Sequence, residues 1–129
     1  GIVTVLPAEV IDHDAPRPQT VAKGATVEYG RYLAQTCGGC HGQSFSGGPI
    51  PGVPATPPYP RNLTPDAETG LGSWQEADFF RAIREGLRPD GTQLSTAMPW
   101  QAFRLMTDEE IRALWLYLQT VPAKPYGNR

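Results

Sequence analysis

The chain has 129 residues, a net charge of −2, 40% hydrophobic residues and 19% charged residues, which is typical of one soluble globular domain. No basic stripe is present, which argues against a nucleic-acid partner, and no apolar run reaches the length of a membrane span. Gly and Pro number 14 each, which predicts a loop-rich chain. Because no signal peptide is visible, we interpret the sequence as a mature or excised form from which a signal or anchor has been removed.

Residues 1–24 are predicted to be an extension that precedes the main domain, residues 25–129. The first six residues are apolar and β-prone, whereas Pro7, Pro16 and Pro18 break any helix. The extension is either a tail that lies on the domain or a linker from a preceding domain or membrane anchor. Composition alone does not separate these two interpretations.

The first helix is predicted over residues 26–37, with Thr26 as its N-cap and Glu28 in its first turn. One face repeats at helical spacing and carries Gly30, Leu33, Ala34 and Cys37. A glycine inside a helix costs about 1 kcal/mol relative to alanine, so it often marks the close approach of another backbone. We therefore predict that another helix crosses the first one at Gly30.

The sequence Cys37-Gly38-Gly39-Cys40-His41 has the C-x-x-C-H spacing of a c-type haem attachment site. Two thiols at this spacing can each form a thioether to the porphyrin, and His41 then supplies an imidazole to the iron. A thiol redox pair would usually accompany a βαβ pattern, which is missing. A closed zinc site needs four ligands, and a plain disulfide would leave His41 without a role. The motif predicts one covalent haem c.

Residues 42–72 are predicted to be mostly loop. Within them, residues 47–60 hold nine Gly or Pro residues among fourteen. A loop of this length that packs against no other group is uncommon in a compact domain. Because predicted helices flank it closely, we expect it to wrap around the cofactor.

A second helix is predicted to start with a capping box formed by Ser73 as N-cap and Glu76 at the third helical position. Gly86 is expected to end this helix, and residues 88–91 are expected to form a turn. The predicted apolar stripe comprises Ala77, Phe80, Ile83 and Leu87.

The last helix is predicted to begin with a capping box of Thr107 and Glu110, with Met106 and Ile111 forming a hydrophobic staple before it. Pro122 is expected to end the helix. Its apolar face carries Ile111, Leu114, Trp115 and Leu118. No alternating strand pattern competes, so the predicted fold class is all-α.

The second axial ligand of a haem bound at His41 is expected to be a methionine, because His/Met ligation suits electron transfer and raises the reduction potential. Only Met98 and Met106 are available. Met98 precedes Pro99, which favours an extended loop rather than a helix. Met106 already has a structural explanation in the staple, so Met98 is the predicted ligand.

These features together resemble the class I monohaem cytochromes c over residues 25–122. The similarity includes Gly30 before the C-x-x-C-H motif, Met98-Pro99, and an aromatic-rich last helix. The runs at 62–66, 70–74, 98–100 and 106–110 resemble a bacterial branch of cytochrome subunits and domains that serve periplasmic dehydrogenases and oxidases. The resemblance implies a cytochrome c fold of three main helices and long Gly/Pro-rich loops around one haem. It also implies that the first and last helices cross, with Leu114, Trp115 and Leu118 as partners.

The same resemblance implies that His41 donates its Nδ1 hydrogen to a proline carbonyl in the following loop, with Pro49 and Pro51 as the candidates. Haem propionates also need hydrogen-bond donors. The candidate donors are Arg61, Asn62, Trp74 and Trp100. For each of these four side chains, ordinary surface or core packing is the alternative.

The expected function is electron transfer by a carrier or carrier domain that is not an enzyme by itself. Its expected partners are redox proteins: a dehydrogenase, an oxidase or another cytochrome. Attachment of haem to C-x-x-C-H in c-type cytochromes implies assembly outside the cytoplasm, so a periplasmic location is expected, with tethering through a missing segment as an option. Two alternatives remain: an electron-entry domain of a larger oxidoreductase, and a haem enzyme or gas sensor with open coordination.

Overall fold

A computed structural model describes residues 21–54 and 56–129 of the chain. These residues form four helices: α1 Val27–His41, α2 Glu76–Glu85, α3 Trp100–Phe103 and α4 Asp108–Leu118. The only β-pairing within the described ranges is an isolated bridge between Leu87 and Gln93. The all-α prediction is therefore confirmed. Most of the predicted extension, residues 1–20, lies outside the described residues, so the boundary between 24 and 25 stays a prediction.

Helix α1 begins as predicted, because the Thr26 hydroxyl accepts a hydrogen bond from the Tyr29 N–H at 3.1 Å. It continues past the predicted end at Cys37 and stops at His41, followed by Gly42 with φ of 87°. Intrinsic propensity disfavours Gly38 and Gly39 in a helix, but tertiary context overrides such a weak preference. The whole C-x-x-C-H motif consequently lies in the final turns of α1.

Helices α1 and α4 cross at Gly30, as the sequence predicted. A Cβ on Gly30 would overlap the backbone carbonyl oxygen of Ala113 and lie 2.7 Å from Cβ of Tyr117. Ala113 and Tyr117 are thus the closest neighbours of Gly30. The partners predicted for this crossing instead belong to the core cluster, which also holds Ala34 of α1. Those residues are Leu114, Trp115 and Leu118.

The capping box at the start of α4 is confirmed by two reciprocal hydrogen bonds. The Thr107 hydroxyl accepts from the Glu110 N–H at 3.1 Å, and the Glu110 carboxylate accepts from the Thr107 N–H at 2.8 Å. The predicted apolar face of this helix is buried in the core. The helix ends at Leu118, before Pro122, so the prediction that Pro122 ends it was wrong.

The predicted start of α2 was wrong by two residues. Its N-cap is Gln75, whose N–H donates to the Asp78 carboxylate at 2.8 Å. The Trp74 N–H bonds to the Leu71 carbonyl at 3.0 Å, and this commits Ser73 to a turn outside the helix.

The buried face of α2 also differs from the predicted stripe, because Ala77 is exposed while Phe79 and Ala82 join Ile83 in the interior. The predicted end is confirmed, since Gly86 adopts a left-handed conformation with φ of 70°. The turn over residues 88–91 is also confirmed by a hydrogen bond of 2.9 Å from the Gly91 N–H to the Arg88 carbonyl.

Residues 42–75 contain no helix or strand among those that the structure describes. Residues 121–129, here called the closing segment, run along this loop. The Lys124 carbonyl accepts from Asn62 Nδ2 at 2.7 Å and from the Thr64 hydroxyl at 3.1 Å. The Gly127 N–H donates to the Ser46 carbonyl at 3.0 Å. The loop is therefore fastened by hydrogen bonds to a segment far away in sequence.

Within residues 21–54 and 56–129, no helix is both long enough and apolar enough to span a membrane.

Candidate haem site

Two adjoining cavities, here together called the cleft, open at the C-terminal end of α1. The first has a volume of about 250 Å³ and is lined by Cys37, Cys40, His41 and Met98 among others. The second has a volume of about 240 Å³ and a mainly apolar lining that includes Leu33, Leu63, Phe79 and Met106. Thr36, Cys37, Met98 and Phe103 line both cavities. The fold thus gathers the predicted attachment residues around one largely apolar space.

The buried imidazole of His41 donates its Nδ1 hydrogen to the Arg61 carbonyl, with an N···O distance of 2.7 Å. The prediction of Pro49 or Pro51 as the acceptor was therefore wrong. The Gly48 N–H bonds to the Pro60 carbonyl at 2.9 Å, which brings residues 60–61 beside the end of α1, whereas Pro49 is exposed. With Nδ1 occupied, Nε2 keeps its lone pair for a metal.

The pKa of His41 is lowered, mainly because burial penalises the charged imidazolium. The hydrogen bond to the Arg61 carbonyl acts in the opposite direction, and the positive charge of Arg129 lowers the pKa further. The neutral form is the one that binds a metal ion. Its surroundings therefore keep His41 in the state that a ligand requires.

Cys37 and Cys40 are both free thiols and both line the first cavity. Burial raises the pKa of Cys37 to about 11, which opposes the thiolate that a redox-active pair would need. Within the described part of the chain, His, Cys, Asp and Glu residues form no group of three or more that could hold a metal ion. A neutral Cys37 thiol and a free Cys40 thiol beside an apolar cleft fit a covalent porphyrin better than a zinc ion or a redox disulfide.

The two methionines occupy different parts of the cleft. Met98 lines both cavities and so shares the first one with His41. Met106 lines the second cavity only and packs against the core. Both side chains therefore face the cleft, but only Met98 borders the same space as the histidine.

Two arginines border the first cavity. Arg61 was predicted from sequence, whereas Arg88 was missed because its run Arg-Pro-Asp-Gly reads as a turn. Burial lowers the pKa of Arg88, and the charge of Arg61 lowers it further. Arg88 is held in place by hydrogen bonds of 3.0 Å to the Thr92 hydroxyl and the Gln93 carbonyl. Two guanidinium groups therefore lie close together at this edge of the cleft.

Asn62 does not line the cleft but borders a neighbouring cavity together with Arg61 and Arg88, so its role as a propionate donor remains a prediction. Both hydrogens of its amide nitrogen are used, at 2.9 Å to the Thr69 hydroxyl and 2.7 Å to the Lys124 carbonyl. Its Oδ1 accepts from the Thr64 N–H at 2.9 Å and the Thr64 hydroxyl at 2.8 Å. This buried amide joins the loop to the closing segment.

The two predicted indole donors lie outside the lining of the cleft. Trp74 borders a neighbouring cavity of about 320 Å³ that Arg61 and Arg88 also line. Trp100 is buried against Gly86, and its Nε1 has no hydrogen-bond partner among the described residues. A role for either indole at the propionates remains a prediction.

Curated relatives of the chain include cytochrome subunits of dehydrogenases. It is 38% identical over 102 residues to the gluconate 2-dehydrogenase cytochrome c subunit of Pantoea cypripedii, covering 74% of this chain and 23% of the relative. It is 34% identical over 125 residues to the fructose dehydrogenase cytochrome subunit of Gluconobacter japonicus, covering 92% of this chain and 24% of the relative. It is 40% identical over 102 residues to the alcohol dehydrogenase (quinone) cytochrome c subunit of Gluconacetobacter polyoxogenes, covering 74% and 22%.

The chain thus spans less than a quarter of the length of these relatives. The sequence model of the family described as Cytochrome c matches residues 27–122, which run from the first residue of α1 to just past α4. The match includes the C-x-x-C-H motif at the end of α1, the Met98 loop and both crossing helices. The chain therefore belongs to the cytochrome c family.

Proposed function

We propose that Cys37 and Cys40 hold haem c covalently and that His41 and Met98 are its axial ligands, so that this cytochrome c domain carries single electrons. The observation that supports this assignment is that all four side chains line one cavity. Membership of the family implies the covalent haem and the electron-transfer role. The ligand set is our assignment from the arrangement of side chains.

Each of these residues has a distinct task. When bound, haem c supplies the reversible one-electron chemistry. His41 is fixed by its hydrogen bond to the Arg61 carbonyl, which sets the ring orientation and raises the basicity of Nε2. The Met98 thioether is a soft donor that favours the reduced metal. The apolar side chains of the second cavity exclude water from the cleft.

Arg61 and Arg88 are proposed to bind the haem propionates. Both residues border the first cavity, and neither forms an ion pair with a carboxylate within 4 Å among the described residues. A guanidinium matches a carboxylate with two parallel hydrogen bonds. Trp74 borders the same pair of arginines and is a further candidate donor.

The physiological partner is proposed to be a dehydrogenase from which the domain accepts electrons. The support is that the relatives named above are dehydrogenase cytochrome subunits. The proposed location is outside the cytoplasm, where haem c is attached. Because the chain spans less than a quarter of those relatives, an electron-entry or relay domain within a longer redox protein is the favoured form of this function.

Replacing each methionine in turn tests the ligand assignment. In Met98→Ala, we expect loss of the iron–thioether charge-transfer band in the visible spectrum of the oxidised protein and a lower reduction potential. In Met106→Leu, a volume-conserving change at the second cavity, we expect the band to persist and stability to change by less than about 1.5 kcal/mol.

Mass spectrometry of the denatured variants provides the control, because one haem should remain attached through Cys37 and Cys40 in both. The opposite pattern, with the band lost in Met106→Leu and kept in Met98→Ala, would reverse the ligand assignment. A mass equal to the bare polypeptide in the unmodified protein would overturn the covalent haem itself.

A further inference from the structure

The closing segment ends in a side chain that reaches the haem-attachment motif. Arg129 Nη1 donates to the Cys40 carbonyl and to the Gly48 carbonyl, each at 2.9 Å. Arg129 also packs against Gly42, with its Cβ 3.3 Å from where a Gly42 Cβ would lie. Residues 123–129 lie beyond the range that the family model matches.

Arg129 contributes to the hydrogen bonding at the end of α1. The last four carbonyls of a helix lack partners within it. Here the Gly38 carbonyl accepts from the Gly42 N–H at 3.0 Å, and the His41 carbonyl accepts from the Gly47 N–H at 2.9 Å. The Cys40 carbonyl is satisfied by Arg129 instead. A cation consequently lies at the negative end of the helix dipole, where positive charge is stabilised.

No acid in the described part of the chain forms an ion pair with Arg129 within 4 Å. Among the described residues, the three ion pairs all involve other arginines, namely Arg81, Arg84 and Arg112. Within residues 21–54 and 56–129, the hydrogen bonds of the Arg129 guanidinium all go to neutral carbonyl groups. It therefore presents a positive charge next to Cys40 and to the proposed iron ligand His41, in partly buried surroundings where screening by solvent is reduced.

We propose that Arg129 is a positioning residue that holds the end of α1 against the 42–48 loop and raises the reduction potential of the site through its charge. This inference rests on the proposed binding of haem at His41. Reduction adds one electron, supplied by a reduced redox partner, and lowers the charge of the site by one without forming or breaking a bond. A fixed positive charge nearby stabilises the reduced state relative to the oxidised state.

The proposal is tested by the midpoint potentials of three holoprotein variants at one ionic strength. Arg129→Gln removes the charge but keeps an amide donor, so we expect a lower potential than in the unmodified protein. Arg129→Lys keeps the charge and should retain most of the unmodified potential. Arg81→Gln is the matched control, because it removes one arginine charge from an exposed ion pair with Glu85 on α2 and should shift the potential much less.

The outcomes separate this proposal from the proposed function. The iron–thioether band of the unmodified protein tests the haem ligands and is expected in all three variants. If that band is present and Arg129→Gln has the same potential as Arg81→Gln, the tuning role is overturned. A potential in Arg129→Lys as low as in Arg129→Gln would also overturn it, since the charge would then not be the cause.

Discussion

Helix α1 is held on two sides by different kinds of contact. On one side it crosses α4, where Gly30 lets the two backbones touch and Ala34 lies in the same core cluster as Leu114 and Leu118. On the other side its end meets the 42–75 loop and the closing segment, where contacts are mostly hydrogen bonds to backbone carbonyls. His41, Asn62 and Arg129 each bond a carbonyl that is distant in sequence.

The difference decides which substitutions each side tolerates. A packed crossing depends on volume, so an added methyl group is costly while exposed polar changes are not. A hydrogen-bonded loop depends on satisfied donors and acceptors, so removing one buried polar group is costly even when the volume hardly changes. The following three predictions probe the two sides, from the largest expected effect to the smallest.

Gly30→Val should have the largest effect on stability. Its Cβ would overlap the carbonyl of Ala113, and because this obstacle is backbone, relief requires the helices to separate. We expect a loss in the free energy of unfolding at the upper end of the overpacking range, about 3 kcal/mol, measured by denaturant titration. Gln35→Val, on the exposed face of the same helix, should lower the free energy of unfolding by only a few tenths of that amount. Equal losses in the two variants would contradict the crossing at Gly30.

Asn62→Ala should destabilise the loop side by about 2 kcal/mol. The substitution leaves the buried Thr64 side chain and the Lys124 carbonyl without the partner that Asn62 provides, and an unsatisfied buried group costs about 1 to 3 kcal/mol. Thr56→Ala, which removes one exposed hydrogen bond of 3.3 Å, is the control and should be near neutral. The visible spectrum should stay unchanged in Asn62→Ala, because Asn62 does not border the cleft. A spectral change without loss of stability would instead indicate that Asn62 contacts the haem.

Glu110→Gln should have the smallest effect, visible only in the pH dependence of stability. Hydrogen bonding to the Thr107 N–H holds the pKa of Glu110 below its ordinary value of 4.5, although burial acts in the opposite direction. An acid with a lowered pKa contributes stability above its unfolded pKa, and this contribution is lost as the pH falls through the folded pKa.

Thermal melts from pH 6 down to about pH 3 would measure the effect of Glu110→Gln. The unmodified protein should be more stable at the upper end, by less than about 1 kcal/mol because the carboxylate is solvent-accessible, and the two curves should converge towards acid. Glu109→Gln, an exposed neighbour in the same turn, should give a curve nearly parallel to that of the unmodified protein. A gap that widens as the pH falls would contradict the sign of the Glu110 contribution.

The helical side could be predicted from sequence because its determinants are local. The capping box at Thr107 and the apolar stripe of α4 each depend on residues within two turns of one another. Gly30 indicated the crossing because a glycine inside a helix lowers helix stability and often marks the close approach of another backbone. The start of α2 was misplaced because two overlapping capping patterns, at 73–76 and 75–78, compete. The turn from Leu71 to Trp74 selects the second pattern.

On the loop side, the sequence predicted the haem-attachment residues but not the hydrogen bonds that surround them. The motif gave Cys37, Cys40 and His41, but no local pattern identifies the Arg61 carbonyl as the acceptor for His41, since every residue carries a carbonyl. The hydrogen bond from Asn62 to Lys124 was missed for the same reason, because Lys124 contributes only its backbone carbonyl. Arg88 and Arg129 were missed because their positions depend on how irregular segments fold together.

The closing segment also bears on the order in which the chain is made. The hydrogen bond from Arg129 to the Cys40 carbonyl joins residues 89 positions apart. At ordinary rates of synthesis, of about 5 to 20 residues per second, Arg129 is made on the order of 5 to 20 s after Cys40. For that interval, Cys37, Cys40 and His41 exist without the segment that later covers their loop.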